Sequence, residues 1–169
     1  MKNKGAEGEF LKHYDQFSDA IFRHAVFRLS DREKAKDLVQ ETFIRYWDYV
    51  SQGKEVLNTR ALLYKIANNL VIDKYRRKEV VSLDQMREEQ GFDIGNDTRP
   101  HIENQDEYDR LLVEIEKLPE KQRAVLTMRH VDGLSVKEIA RISEETENVI
   151  SVRIHRAIQK LKEEHEKYT

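Results

Sequence analysis

The sequence contains no cysteine, and this absence excludes disulfide bonds, thiolate metal ligands and a cysteine nucleophile. Only two prolines and six glycines occur in its 169 residues, and strand-like alternation of apolar and polar residues is scarce, so we expect long helices. No apolar run approaches the roughly 20 residues of a membrane span, and residues 1–9 lack the apolar core of a signal peptide. These absences predict an all-helical protein of the cytoplasm, without membrane insertion.

Signatures of catalysis are missing as well. The sequence has no glycine-rich phosphate loop, no histidine cluster at metal-ligand spacing and no nucleophile elbow. Its six histidines are scattered, and a lone histidine is more often structural than a ligand. We therefore expect no enzymatic activity, no bound metal and no cofactor.

Charge is plentiful, but it is unevenly distributed. Charged residues make up 37% of the chain, and the formal net charge is −2. Residues 84–109 hold nine acidic residues against two basic ones, a net charge of −7, which leaves +5 for the rest of the chain. This pattern predicts two basic lobes joined by an acidic connector, and basic lobes suit nucleic acids as partners.

Helical spacing of apolar residues defines a first unit. It predicts helices over residues 7–29, 31–50 and 59–78, the second of them capped by Ser30 with Glu33 in a capping box. The segment after the third helix is rich in acids and contains two glycines and a proline, which is linker composition, and its like charges should keep it extended. We place the first domain at residues 1–81, the acidic linker at residues 82–104 and the second domain at residues 105–169.

The second unit ends in the outline of a helix-turn-helix. Periodicity predicts helices over residues 106–118 and 119–131. Ser135 then caps a short helix, residues 143–145 form a turn, and Thr146 caps the last helix.

The last predicted helix carries polar and basic residues between its apolar positions, and these are Ser151, Arg153, His155, Arg156 and Lys160. Such a helix can lie in the major groove, reading base edges with some side chains and holding phosphates with others. The helix starts at Ser135 and Thr146 would add backbone N–H donors suited to phosphate. The alternative interpretation is a plain helical hairpin with a solvated basic face.

A second cluster of cations lies at residues 74–78, which hold four positive charges at the end of the third helix. The preceding turns add Arg60, Tyr64, Lys65, Asn68 and Asn69. A helix that combines aromatic rings, amides and cations suits single-stranded or distorted DNA. Cations at a helix C-terminus are also stabilised by the helix dipole, so a purely structural role is the alternative.

Residues 37–43 form an ordinary amphipathic stretch, in which Asp37 and Glu41 share a face. Nothing in these residue types separates a solvated face from a docking face. Trp47, the only tryptophan, is expected in the core.

Two blocks of the sequence resemble one known family. Residues 37–43, 59–78 and 82–84 resemble sigma domain 2 of the extracytoplasmic function sigma factors. Residues 118–129 and 133–140 resemble sigma domain 4 of that family, and the spacing continues through the last helix without a gap. Two independent blocks, in the right order and a linker apart, make this resemblance specific.

The resemblance implies two small helical domains that dock on core RNA polymerase and read promoter DNA. The implied polymerase-binding residues are Asp37, Leu38, Gln40, Glu41 and Phe43. The residues implied to open and read the −10 element are Asn58, Arg60, Tyr64, Asn68, Asn69, Asp73, Arg76 and Arg77. Those implied to contact the −35 element are Ser135, Lys137, Thr146, Ser151, Val152, Arg153, His155, Arg156 and Lys160.

The same resemblance implies three partners: core RNA polymerase, promoter DNA and an anti-sigma factor that holds the protein inactive. It also implies that the linker passes toward the active-site channel of the polymerase. Two other functions stay open. A helix-turn-helix regulator could bind duplex DNA without polymerase, but it would leave the first 80 residues unused. A module that only sequesters a regulator would need no basic face at Arg153 and Arg156.

The sequence departs from the family pattern in the turn of the helix-turn-helix. The family usually has glycine and then an apolar residue where this chain has Glu144 and Glu145, and a basic residue is common in place of Ser151. Glu147 also lies near the expected DNA face. We expect weaker affinity for the −35 element, a different sequence preference or an altered turn.

Overall fold

The structure, a computed structural model, describes residues 2–85 and 105–167, and every regular element in these two ranges is a helix. The all-α fold class predicted from the sequence is therefore confirmed. Most of the predicted linker, residues 86–104, lies outside the described residues. Within the described ranges, no helix is both long and apolar enough to cross a membrane, and no group of acidic and histidine side chains could hold a metal ion.

Three helices form the N-terminal unit: α1 (Lys2–Leu29), α2 (Arg32–Ser51) and α3 (Thr59–Gln85). They pack through apolar residues that recur at steps of three and four. Fully or almost fully buried members of this core are Ile21, Ala25, Leu38, Phe43, Leu63, Ala67 and Leu70. The N-terminus of α1 and the C-terminus of α3 extend beyond the predicted limits of residues 7 and 78, because polar helix ends carry no apolar periodicity.

The start of α2 differs from the prediction. Ser30 does not cap this helix, because its φ is 53°, in the left-handed region. Asp31 is the N-cap instead: its backbone is extended, and its Oδ1 accepts a hydrogen bond from the Lys34 N–H at 3.0 Å. The prediction of Ser30 was wrong because the tight connection between α1 and α2 uses that residue to reverse the chain, and aspartate caps as well as serine.

The loop between α2 and α3 is fixed by two local features. Gly53 has a φ of 79°, which favours glycine. Asn58 caps α3, since its Oδ1 accepts a hydrogen bond from the Ala61 N–H at 3.0 Å. Leu57, between them, is 94% exposed. The loop therefore presents an apolar side chain to solvent directly before α3.

The C-terminal unit contains α4 (Gln105–Glu116), α5 (Glu120–Leu126), α6 (Val136–Ser143) and α7 (Glu147–Glu166). A π-helical turn, Thr127–Val131, continues α5. The apolar periodicity predicts the continuation but not its π-helical form, because the extra residue in the turn leaves no signal in composition.

Both predicted caps of the helix-turn-helix are confirmed. Ser135 Oγ accepts a hydrogen bond from the Glu138 N–H at 3.1 Å and donates to the Glu138 carboxylate at 3.1 Å. Thr146 Oγ1 accepts from the Val149 N–H at 3.2 Å. Gly133, with a φ of 71°, turns the chain from the π-helical turn into α6. Local residue chemistry thus sets the starts of α6 and α7.

The two units pack against each other around one continuous core. Leu63 and Val71 of α3 belong to the same buried cluster as Met128, Leu134 and Ile139 of the C-terminal unit. The main contacts between the described parts of the two units are those of α3 with α6 and of α1 with the π-helical turn. The two units are therefore in contact, with α6 packed on α3, and we call this the closed arrangement.

Candidate polymerase- and DNA-binding surfaces

The candidate polymerase-docking face lies on α2. Asp37 and Gln40 are exposed, and Glu41 is partly exposed. The two apolar candidates are buried, with Leu38 at 0% and Phe43 at 2% exposure. Only the polar candidates can therefore touch a partner in this arrangement, while the apolar ones hold α2 on its neighbours.

An apolar groove lies beside this face, between α1 and α2, and the sequence analysis missed it. Its lining includes Phe10, Leu11, Tyr14, Ile44 and Trp47, and its volume is about 780 Å³. Leu11 and Ile44 are 54% and 61% exposed. Trp47, expected in the core, is half-buried at the groove wall. The sequence did contain a sign of this groove: Leu11 and Ile44 are apolar but lie outside the core-facing stripes of their own helices.

The candidate −10 residues fall into two groups. Those on the open side are Asn58, Asn69, Arg76 and Arg77, which are exposed, and Asp73, which is half-buried. Of the other three, Arg60 contacts the C-terminal unit, while Tyr64 lies against His24 of α1 and Asn68 accepts a hydrogen bond from Arg28 of α1. These three candidate −10 residues are therefore already engaged or buried, unlike the exposed group.

Arg60 is held by acceptors of the C-terminal unit. Its Nη2 donates to the Asp132 carbonyl oxygen at 2.7 Å, and its Nη1 lies 3.5 Å from the Glu138 carboxylate. The guanidinium also lies 5.7 Å from the centroid of the Tyr64 ring, within cation–π range. Burial, together with the nearby Asp132 carboxylate, raises the pKa of Tyr64 to about 12.

A buried network centred on Arg28 of α1 ties the two units together. Arg28 is 0% exposed; its Nη1 donates to Asn68 Oδ1 at 2.8 Å, and its Nη2 donates to the Glu120 carboxylate at 2.6 Å. One turn earlier, His24 Nδ1 lies 2.5 Å from the Asp132 carboxylate, and both side chains are buried. A buried charged group without such partners would be strongly destabilising. The buried Arg28 and His24 side chains of α1 therefore depend on carboxylates of the C-terminal unit as partners.

The candidate −35 surface remains open in the same arrangement. Its exposed members are Lys137, Thr146, Ser151, Val152, His155, Arg156 and Lys160. Ser135 is half-buried in its capping role. Arg153 is also half-buried, and its Nη2 donates to the Glu145 carboxylate at 3.2 Å. A phosphate would have to compete with Glu145 for this arginine.

The turn between α6 and α7 keeps a left-handed backbone although glutamate occupies it. Glu144 has a φ of 56° and a ψ of 42°, the geometry that favours glycine after a helix. The next residue closes the turn, since the Glu145 N–H donates to the Ala140 carbonyl at 3.0 Å. The Glu144 carboxylate lies 3.8 Å from Lys65 Nζ on α3. The departure from the family pattern therefore changes the side chain at the turn while its left-handed backbone is kept.

We expect the Glu144→Gly variant to be more stable than Glu144→Ala by about 1 kcal/mol, because both lose the carboxylate and only glycine relieves the left-handed backbone. The free energy of unfolding, from urea titrations of the two variants, measures the difference. Equal stability of the two variants would mean that the backbone of Glu144 is unstrained.

Two family models match the chain. One, described as Sigma-70 region 2, matches residues 13–80, and the other, described as Sigma-70, region 4, matches residues 108–161. Together the two matches cover most of the chain. The first coincides with the N-terminal unit and the second with the C-terminal unit.

Curated relatives carry the same description. The chain is 28% identical over 165 residues to the ECF RNA polymerase sigma factor BldN of Streptomyces coelicolor, covering 93% of this chain but only 60% of BldN. It is 28% identical over 173 residues to the ECF RNA polymerase sigma factor SigW of Bacillus subtilis, covering 95% of this chain and 91% of SigW. The chain thus spans less than two thirds of BldN and nearly all of SigW.

Two solved structures share the fold. One is the sigma factor RpoE in complex with the anti-sigma factor NepR from Bartonella quintana, with a TM-score of 0.72, 22% identity, and coverage of 92% of this chain and 95% of that one. The other is CnrH in complex with the cytosolic domain of CnrY, with a TM-score of 0.72 and 22% identity. This match covers 99% of this chain and 96% of that one. At this level of identity the similarity concerns the helical fold.

Proposed function

We infer that the chain, a member of the sigma-70 family, is an alternative sigma factor of the extracytoplasmic function type. We propose that its N-terminal unit docks on core RNA polymerase and opens the −10 element, while its C-terminal unit reads the −35 element. This family is not a family of enzymes. The factor supplies promoter recognition, and the polymerase supplies the chemistry.

The observation that carries the proposal is the exposed stripe of Ser151, Val152, His155 and Arg156 on α7, the second helix of the helix-turn-helix. Ser151 and His155 are one turn apart, as are Val152 and Arg156, and all four are exposed. Side chains placed in this way reach base edges in the major groove when the helix enters it. Lys160, one turn further along, suits a phosphate.

Docking on polymerase rests on α2 in this proposal. The exposed Asp37 and Gln40, with the partly exposed Glu41, contact a complementary surface of the polymerase, while the buried Leu38 and Phe43 support the helix from below. Charge of one sign on such a face favours encounter with a partner of the opposite sign.

In this proposal, α3 contacts the −10 element. Asn69, Arg76 and Arg77 are already exposed, whereas Arg60 is bound by the C-terminal unit and Tyr64 and Asn68 are buried, so these three need a local rearrangement before they contact DNA. Amides and cations around an aromatic ring suit an unpaired strand, because stacking on the ring needs no particular base.

We also propose an anti-sigma factor as a partner, since the similar sigma factor RpoE is solved with the anti-sigma factor NepR. The protein then works in the cytoplasm, where it meets polymerase and promoter DNA.

Run-off transcription with purified bacterial core polymerase and genomic fragments tests the proposal. We expect discrete transcripts that appear only when protein and core polymerase are both present, together with a stable complex on gel filtration. A footprint on duplex DNA without any complex with polymerase would favour a plain helix-turn-helix regulator. The absence of transcripts, of a complex and of a footprint together would favour a sequestering module.

A further inference from the structure

We propose that α7 selects a −35 element with A·T pairs at two nearby positions: Asn148 reads an adenine at one of them, and Val152 contacts the methyl group of a thymine at the other. The inference rests on the proposed function, because it assigns a base preference to the helix that is proposed to read the −35 element. It also adds Asn148, which was not among the candidate residues of the sequence analysis.

Asn148 and Val152 lie at the centre of the face that α7 turns away from its core. Ile150 and Ala157 of this helix are fully buried. At about 100° per residue, Asn148 and Val152 lie about 160° around the helix from Ile150, one on each side. Asn148 is exposed, and Val152 is 40% exposed. Both side chains therefore point toward base edges when the first turns of the helix enter the major groove.

The first two turns of α7 offer no free cation for guanine. The commonest specific contact to guanine is a bidentate arginine or lysine. Arg153 is the only cation in residues 147–153, and it is half-buried, with its Nη2 donating to the Glu145 carboxylate at 3.2 Å. Ser151 stands where the family commonly has a basic residue, and its hydroxyl both donates and accepts, so it discriminates little between bases. The usual contact to guanine is thus missing from this part of the helix.

Asn148 carries the group that recognises adenine. A side-chain amide donates to adenine N7 and accepts from the adenine 6-amino group at the same time, a pairing that only adenine offers in the major groove. The N-cap hydrogen bond of α7 comes from Thr146, whose Oγ1 accepts from the Val149 N–H at 3.2 Å, so the amide is not needed for capping. Glu147 suits a cytosine amino group, but it lies only about 60° from Ile150 and so faces the side of the groove.

Val152 presents methyl groups on an otherwise polar face. Valine forms helices less well than alanine or lysine, so an exposed valine contributes little to the helix itself. Val149, its neighbour on the helix surface three residues earlier, is 38% exposed. The C5 methyl group of thymine is the apolar group of the major groove, and apolar side chains contact it. The two valines therefore favour thymine over cytosine, which lacks this methyl group.

The separation of the two side chains limits the spacing of the two bases. Four residues of α-helix rise about 6 Å. Base pairs of B-DNA follow each other at about 3.4 Å. The adenine contacted by Asn148 and the thymine contacted by Val152 are thus expected within two base-pair steps of each other.

A promoter library tests this preference with the full chain and core polymerase. The −35 region of the strongest promoter among the genomic fragments is randomised, and the transcripts are counted by sequencing. We expect A·T pairs to be enriched at two positions no more than two steps apart. Asn148→Ala should lower the preference at one of these positions by about tenfold. Gln159→Ala, which removes an exposed amide about 16 Å further along the same helix, should leave both preferences unchanged.

Base analogues identify the atoms in contact. 7-Deazaadenine lacks the N7 acceptor of adenine, and deoxyuridine lacks the methyl group of thymine. At the two enriched positions, we expect the first to lower transcription by the parent protein about fivefold and the second about fourfold. The first should have no further effect on Asn148→Ala, and the second none on Val152→Ala, because the contact is already lost. Val113→Ala, at an exposed valine of α4, should respond to deoxyuridine as the parent does.

Both substituted positions are exposed, and alanine is a good helix former, so we expect the variants to keep their helices in circular dichroism. Enrichment of G·C pairs at these positions would overturn the base preference. Analogue effects that persist in the alanine variants would overturn it too. In both cases transcripts still form, so the sigma function stands. The absence of transcripts from the whole library and from the original promoter would overturn the sigma function, and the base preference with it.

Discussion

Asp37→Arg is expected to lower run-off transcription, and the affinity for core polymerase, by about tenfold or more, because a reversed charge on a docking face introduces like-charge repulsion. The side chain is exposed, so the fold should be unaffected. Gel filtration with core polymerase and transcript yield at equal protein concentration measure the two effects.

Glu163→Arg provides the control for this experiment. It makes the same change in charge at an exposed glutamate of α7, outside the candidate docking face. We expect its transcription to match that of the parent. If Asp37→Arg instead bound polymerase as tightly as the parent, the docking face would lie elsewhere, and the apolar groove at Leu11 and Ile44 would be the next surface to test.

Arg156→Ala is expected to lower transcription from promoters that depend on the −35 element by about tenfold, because a good side-chain contact to a base edge contributes about 1–3 kcal/mol of discrimination. Binding to core polymerase should stay unchanged, since Arg156 lies on the helix-turn-helix and away from α2. Run-off transcription from a responsive promoter, and from the same promoter with a scrambled −35 element, measures the loss.

Lys162→Ala, at an exposed position of the same helix, controls for the loss of a positive charge. We expect it to change transcription by less than Arg156→Ala, and equally for the two promoters. An equal loss from both promoters on Arg156→Ala would contradict a role in base reading and would assign that arginine to phosphate.

The parts of the structure that the sequence predicted are those determined over a few residues. Ser135 and Thr146 were recognisable as caps because a hydroxyl directly before an amphipathic run satisfies the first backbone donors of the helix. Ser30 met the same criterion in the sequence, yet it is not the cap. The α1–α2 connection needed a left-handed residue there, and Asp31 became the cap.

The contacts between the two units could not be predicted in this way. His24 and Arg28 lie on the same stripe of α1 as the buried Ile21 and Ala25, so their burial was readable from helical spacing. Their acceptors are 108 and 92 residues away along the chain, and no local pattern identifies them. The candidate residues of α3 were thus named from the sequence, but which of them are covered was visible only in the closed structure.

The π-helical turn at Thr127–Val131 sets the rotational phase of the residues after it. The Asp132 N–H donates to the Thr127 carbonyl, five residues back, at 3.0 Å. One residue more than an α-helical turn holds rotates the later side chains by about 100° relative to a continuous α-helix. Without it, Asp132 would point away from α1, and neither its carboxylate nor its carbonyl would meet His24 or Arg60. The extra residue in this turn, together with the buried Met128 that the turn carries, therefore sets how the C-terminal unit faces α1 and α3.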